Sequence, residues 1–200
     1  MRKGTLIALI SVGIIILLAA IMIFSGVSKY NKLVSLEENV NEKWSQVENV
    51  YQRRADLIPN LVNTVKGYAE HEQQTLTKVI EARSKATSVD VDPNNLNPQA
   101  LQKFQQAQKG LSSALSRLMV VVERYPDLKA SQNFRDLQAQ LEGTENRIAV
   151  ERRKFNQAAR KYNTAIRKFP TNLIANSMGF EKKAYFEADQ GAEEAPEVNF

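Results

Sequence analysis

Two hundred residues suffice for one modest domain, and abundant Gln, Asn, Ala, Lys and Glu with few β-branched runs favour an all-α fold. The absence of cysteine and the single histidine, His71, exclude disulfides, thiolate metal sites, a cysteine nucleophile and any centre that needs two imidazoles. The formal net charge of +5 hides an asymmetry: residues 29–186 carry 25 Lys and Arg against 17 Asp and Glu, whereas residues 187–200 carry five acids and no base.

After a short tail, residues 1–4, the first element is a transmembrane anchor over residues 5–28. No residue from Gly4 to Ser28 is charged. The stretch "TLIALISVGIIILLAAIMIF" supplies about 20 apolar or small residues, the number a helix rising 1.5 Å per residue needs to cross roughly 30 Å of hydrocarbon. Arg2 and Lys3 would also suit a cleaved signal peptide, but the apolar run exceeds the roughly 7–15 residues of such a segment. "MIFSGVSKY" also offers no A-x-A-like cleavage site, and a lipoprotein signal has no cysteine to acylate. Lys29, Lys32 and Lys43 on the far flank nearly balance the near one. The tight cluster of Arg2, Lys3 and the amino terminus favours an N-terminus inside, with the body of the chain outside the cytoplasm.

Residues 29–186 read as three long helices in an antiparallel, coiled-coil-like bundle continuing from the anchor. In the first, Leu33, Val40, Val47, Leu61 and Tyr68 form one seven-residue series and Trp44, Tyr51, Ile58 and Val65 another. Arg54 takes a core position between Val47 and Leu61, where an unpaired guanidinium would cost several kcal/mol. Its partner is expected to be Asp56, Glu145, Glu151 or water at an open seam. Pro59 removes the hydrogen bond to the Ala55 carbonyl and is expected to kink the helix near Arg54. Packing adjustment and a recognition site both fit that coincidence.

"SKATSVDVDPNNLNP", Ser84 to Pro98, is a loop, and Asn97 before Pro98 is a ready N-cap for the second helix. There Leu101, Phe104, Leu111, Leu115, Leu118, Val122 and Tyr125 recur at heptad spacing, with Gln108 alone breaking the stripe. Pro126 interrupts the chain, and Ser131 or a neighbour starts a third helix lasting to Phe169, where Pro170 stops it. Its stripe of Phe134, Leu141, Ile148, Phe155, Tyr162 and Phe169 is seven apart throughout, and these aromatics read as bundle core rather than ligand contacts. Residues 187–200 form an acidic tail whose composition suits disorder.

Held helical to residue 85, the first helix would extend roughly 85 Å, and the second, about 28 residues long, would return only some 42 Å. The membrane-proximal stripe of Leu33, Val40, Trp44, Val47 and Tyr51 would then lack an intrachain partner. With Arg54 and Pro59 above it, that stripe is expected to be a homo-oligomer or partner interface. Lys182, Lys183, Tyr185 and Phe186 are the expected membrane-surface contact, because a basic body beside a bilayer is drawn to anionic headgroups. The anchor makes lipid a nearer partner than nucleic acid, which is not expected.

Three stretches carry a family resemblance: "YNKLVSLEENVNEKWSQVENVYQRRADLIPNLVNTVKGYAEHE" (Tyr30 to Glu72), "VIEAR" (Val79 to Arg83) and "FPTNLIANSMGFEKKAYFEA" (Phe169 to Ala188). Together they resemble the LemA family of bacterial proteins, most specifically in "YQRRADLIPNLV" and the terminal "FP.N..A...GF..K.YF". The resemblance implies one membrane anchor and an antiparallel bundle of long helices in the bacterial inner membrane. It also implies association with membrane zinc peptidases, magnetosome membranes or other envelope proteins, and so a scaffold or adaptor without cofactor rather than an enzyme. The residues agree on chemistry: "HEQQT" at His71 puts Thr75 where a zinc protease needs its second histidine. No phosphate loop or nucleophile elbow appears. A lipid-binding, membrane-remodelling role is the alternative.

Overall fold

The computed structural model describes residues 3–187, so the expected tails lie outside the described residues except for Lys3, Gly4 and Glu187. Six α-helices and no strand occur among the described residues. They are α1 (Lys3–Lys66), α2 (Gln73–Thr87), α3 (Pro98–Val122), α4 (Pro126–Ala130), α5 (Gln132–Arg167) and α6 (Thr171–Ser177). The all-α expectation holds. The stretch expected to span the membrane and the first bundle helix are one uninterrupted α1, which passes through Pro59 without a break.

The length expected for the first helix is corrected. Instead of running to residue 85, α1 stops at Lys66, where Gly67, the residue least favourable to helix after proline, follows a basic last turn. Tyr68 and Ala69 N–H both bond back to the Val65 carbonyl, a 3-10 turn spans Glu70–Glu72, and α2 starts in the reverse direction. Tyr68, expected in the core, is therefore exposed. This extra reversal flips the course of everything downstream: α2 descends toward the apolar end of α1, α3 rises away from it and α5 descends again.

The two capping expectations hold. Asn97 accepts from Ala100 N–H at 2.8 Å at the start of α3, and Ser131 accepts from Phe134 N–H at 3.2 Å at the start of α5. Pro126, expected to interrupt the chain, also starts the short α4, and Leu128 on it is fully buried. The most extensive helix packing is α1 against α5, followed by α2 against α3 and α1 against α2.

Because α5 descends, its 36 residues, about 54 Å, run antiparallel beside the roughly 57 Å of α1 beyond Lys29. The supposed bare stripe is covered. Leu33, Val40, Trp44, Val47 and Tyr51 are buried in one cluster with Phe104, Phe155, Ala159, Tyr162, Ile166 and Phe186. Trp44 meets Phe155 edge-on at 5.6 Å and Phe104 at 5.3 Å. A second cluster at the distal end joins Ile58, Leu61, Val65, Val79, Leu111, Leu118, Phe134 and Leu141. No part of that stripe is left bare for a second copy, and burial of each such side chain within the chain contributes about 1.5–3 kcal/mol.

Candidate functional site: a buried arginine beneath a helical cleft

Arg54 is 2% exposed in the middle of the bundle. Its guanidinium donates to Gln108 Oε1 at 2.6 Å, Ser112 Oγ at 3.1 Å and Glu145 Oε1 at 2.5 Å, and lies 5.0 Å from the Tyr51 ring centroid. Of the candidate partners, Glu145 is the one used; Asp56 instead accepts from Gln52, and Glu151 pairs with Lys154. The two interruptions of the apolar stripes, Arg54 on α1 and Gln108 on α3, thus meet each other. Gln108 is held in turn, donating from Nε2 to the Ala86 carbonyl at 3.1 Å.

Pro59 has a matching device. The Ala55 carbonyl that it leaves without a helical donor accepts from Arg83 Nε at 2.7 Å, an arginine on α2. Sequence reasoning saw the orphaned carbonyl and missed its donor, although Arg83 closes the "VIEAR" stretch.

Above Arg54, α3 and α5 face each other across an open cleft of about 430 Å³. Tyr51 and Arg54 form its floor, Lys109, Ser112 and Ser113 one wall, and Glu145, Ile148 and Arg152 the other. Glu145 keeps 48% of its side chain in solvent. The site therefore joins a fixed, buried cation to a counter-ion that can swing away, with Lys109 and Arg152 adding positive charge. Such a cleft suits binding of a polar or anionic segment. Among the described residues no three His, Cys, Asp or Glu side chains gather as a metal site.

The expected membrane-surface group is corrected in part. Lys182 is exposed and Tyr185 half-buried, but Lys183 (4% exposed) and Phe186 (5%) are core residues. Residues 180–187 form an extended strap laid along α5. Asn163 grips Lys183 twice, donating to its carbonyl at 2.8 Å and accepting its N–H at 2.9 Å. Asn156, seven residues earlier, does the same to Phe186 at 2.9 Å each way. Seven helical residues rise about 10.5 Å, close to the length of three extended residues, so the two grips match in register. The Phe186 ring stacks on Trp44 at 6.0 Å, and Lys183 Nζ reaches Glu37 at 2.7 Å. Burial, with the charges of Glu37 and Glu181, lifts the neighbouring Tyr162 phenol well above its ordinary range. At the start of the strap, Gly179 takes φ +75° and lets Phe180 N–H bond to the Ala175 carbonyl, a C-terminal cap that a side chain would strain.

Arg54, Pro59, Arg83, Gly179 and Phe186 lie in the stretches that carry the resemblance. The LemA family model matches residues 43–200. The chain belongs to the LemA family. It is 28% identical over 178 residues to magnetosome protein MamQ 2 of Paramagnetospirillum magneticum, covering 80% of this chain and 65% of that protein. MamQ of Magnetospirillum gryphiswaldense is 27% identical over 205 residues, 93% of this chain and 74% of the relative. Protein LemA of Metamycoplasma hominis is 27% identical over 175 residues, 88% of this chain and 76% of the relative. The chain thus spans 65% of the length of MamQ 1 and MamQ 2. Among the described residues one helix, α1, is long and apolar enough to cross a membrane, and its most apolar stretch is uncovered by the rest of the described chain. This LemA-family chain is a membrane-associated helical protein.

Proposed function

We propose that this LemA-family chain is a single-pass, non-catalytic adaptor of the bacterial inner membrane. Its bundle stands on the extracytoplasmic side and binds another envelope protein through the cleft above Arg54. The observation that carries this reading is the half-exposed Glu145 over a fully buried Arg54, between α3 and α5, which leave a cleft between them. A partner carboxylate can replace Glu145 on the guanidinium without unfolding the bundle, because Gln108 and Ser112 keep holding it. A membrane zinc peptidase is one partner class that the family resemblance brings forward.

Site-specific photocrosslinking in intact cells tests the proposal. A photoreactive residue at Ser113 or Gln105, on the cleft wall, should give discrete protein adducts, and one at exposed Lys78 on α2 should not. An adduct between two copies of the chain would assign the cleft to self-association. Equal yields from all three positions would sink the proposal.

A further inference from the structure

We propose that α6 is a second membrane contact, which dips the apolar side chains of Phe169, Leu173 and Met178 into the headgroup layer beside the span. The inference rests on the reading of α1 as a membrane anchor.

Three observations carry it. First, these side chains are 80%, 61% and 63% exposed within ten residues of sequence, a concentration of large apolar surface uncommon on the soluble side of the molecule. Phe169 continues the seven-residue stripe of α5, but α5 ends at Arg167, so the side chain leaves the core. Second, the fold brings this segment to the bilayer. The descent of α5 returns the chain to the foot of α1, and Phe180, just past α6, meets Tyr30 edge-on at 5.7 Å. Tyr30 stands about 3 Å along the axis past Ser28, the last uncharged residue of the span, and about 9 Å past Phe24. The interfacial layer extends roughly 5–8 Å beyond each face of the hydrocarbon, so α6 sits at its depth. Third, exposed Lys32, Arg167 and Lys168 lie at the foot of α1 and the start of this segment, where they can meet anionic headgroups. Ala175 faces the other way, buried against the bundle, so α6 has one apolar side inside and another outside.

With a single-helix anchor the bundle can tilt as one body with the continuous α1; a second contact at α6 fixes that tilt and the height of the Arg54 cleft above the membrane. The source of the contact is lipid and not a protein groove, because the segment lies where headgroups already are.

The absence of cysteine makes a clean test. Full-length single-cysteine variants Phe169→Cys, Leu173→Cys, Val120→Cys and Ile15→Cys are labelled with an environment-sensitive fluorophore. They are then reconstituted in phosphatidylcholine vesicles with and without phosphatidylglycerol. Val120 is 71% exposed on distal α3 and serves as the control for an exposed apolar site far from the bilayer. The expected result is quenching by shallow nitroxide lipids several-fold stronger at positions 169 and 173 than at 120, with deep quenching at position 15. If positions 173 and 120 behave alike while 15 is quenched, the α6 contact is refuted and the anchor stands. If position 15 is also unquenched, the anchor itself fails and takes the inference with it. A label at 173 shielded from water yet not quenched by lipid would show a protein covering α6, and would equally overturn it.

Discussion

Arg83 Nε donates to the Ala55 carbonyl at 2.7 Å, supplying from α2 the hydrogen bond that Pro59 withholds within α1. Ala55 is buried, so its carbonyl has no water to turn to. The proline therefore does structural work by opening an acceptor for a second helix. Replacing Arg83 with Met should cost about 1.5–3 kcal/mol, the range for a hydrogen bond from a charged group. In a Pro59→Ala background, where residue 59 regains its N–H, the same replacement should cost less. Urea unfolding of the four proteins in mild detergent gives the coupling energy; additive effects would show that the two residues act independently.

The Arg54 network makes an unintuitive forecast for Gln108. Leucine there would complete the apolar stripe of α3, yet Gln108→Leu should destabilise by about 1.5–3 kcal/mol because it strips a buried guanidinium of an acceptor. Glu145→Gln should cost less than about 1 kcal/mol, since that side chain is half in solvent and the ion pair correspondingly screened. Chemical denaturation ranks the two; the reverse order would show that Glu145 is the main support of Arg54.

Strap docking has a built-in reporter in Trp44, the single tryptophan. Removing both asparagine grips, Asn156→Ala with Asn163→Ala, should loosen residues 183–187, shift Trp44 emission to the red as the Phe186 ring leaves it, and speed amide exchange at Lys183 and Phe186. Phe186→Ala should cost about 3–5 kcal/mol, the range for deleting a buried phenyl ring. Unchanged emission in the double asparagine variant would mean that the ring contacts hold the strap without the amides.

Glu48 predicts a pH effect. Burial raises its carboxyl above the ordinary carboxylate range, the Trp44 indole opposes the shift and the charge of Asp90 adds to it. A raised folded-state value means that the native state binds the proton more tightly than the unfolded one. The contribution is therefore fully present below the unfolded pKa and is lost as pH rises through the folded one. Glu48→Gln should accordingly raise the melting temperature at pH 7 and lose that advantage below the ordinary carboxylate pKa. A constant difference across pH 4–7 would exclude the ionisation as its cause.

The three long helices α1, α3 and α5 were legible in the residues because their causes are local, whereas α2 was read as part of the first and the short α4 and α6 were not read as helices. Seven-residue spacing of apolar side chains, Asn97 and Ser131 at N-caps, and Pro170 after the last long helix each act within a turn or two. The uncharged run from Gly4 to Ser28 marked the candidate span for the same reason, and the polar positions Arg54 and Gln108 announced a demand for partners.

Who met that demand, and which way each helix ran, was decided only in three dimensions. A stop at Lys66, signalled by nothing stronger than Gly67, adds one reversal, and one reversal decides whether α5 climbs away from the membrane or descends to cover Trp44. The donor for Ala55 lies 28 residues away, the carboxylate for Arg54 91 residues away, and the amide grips on the strap 20 and 30 residues from the backbone they hold. Local sequence fixes φ, ψ and periodicity, but partners so distant are chosen by which folded arrangement leaves the fewest buried polar groups unpaired and the least apolar surface in water.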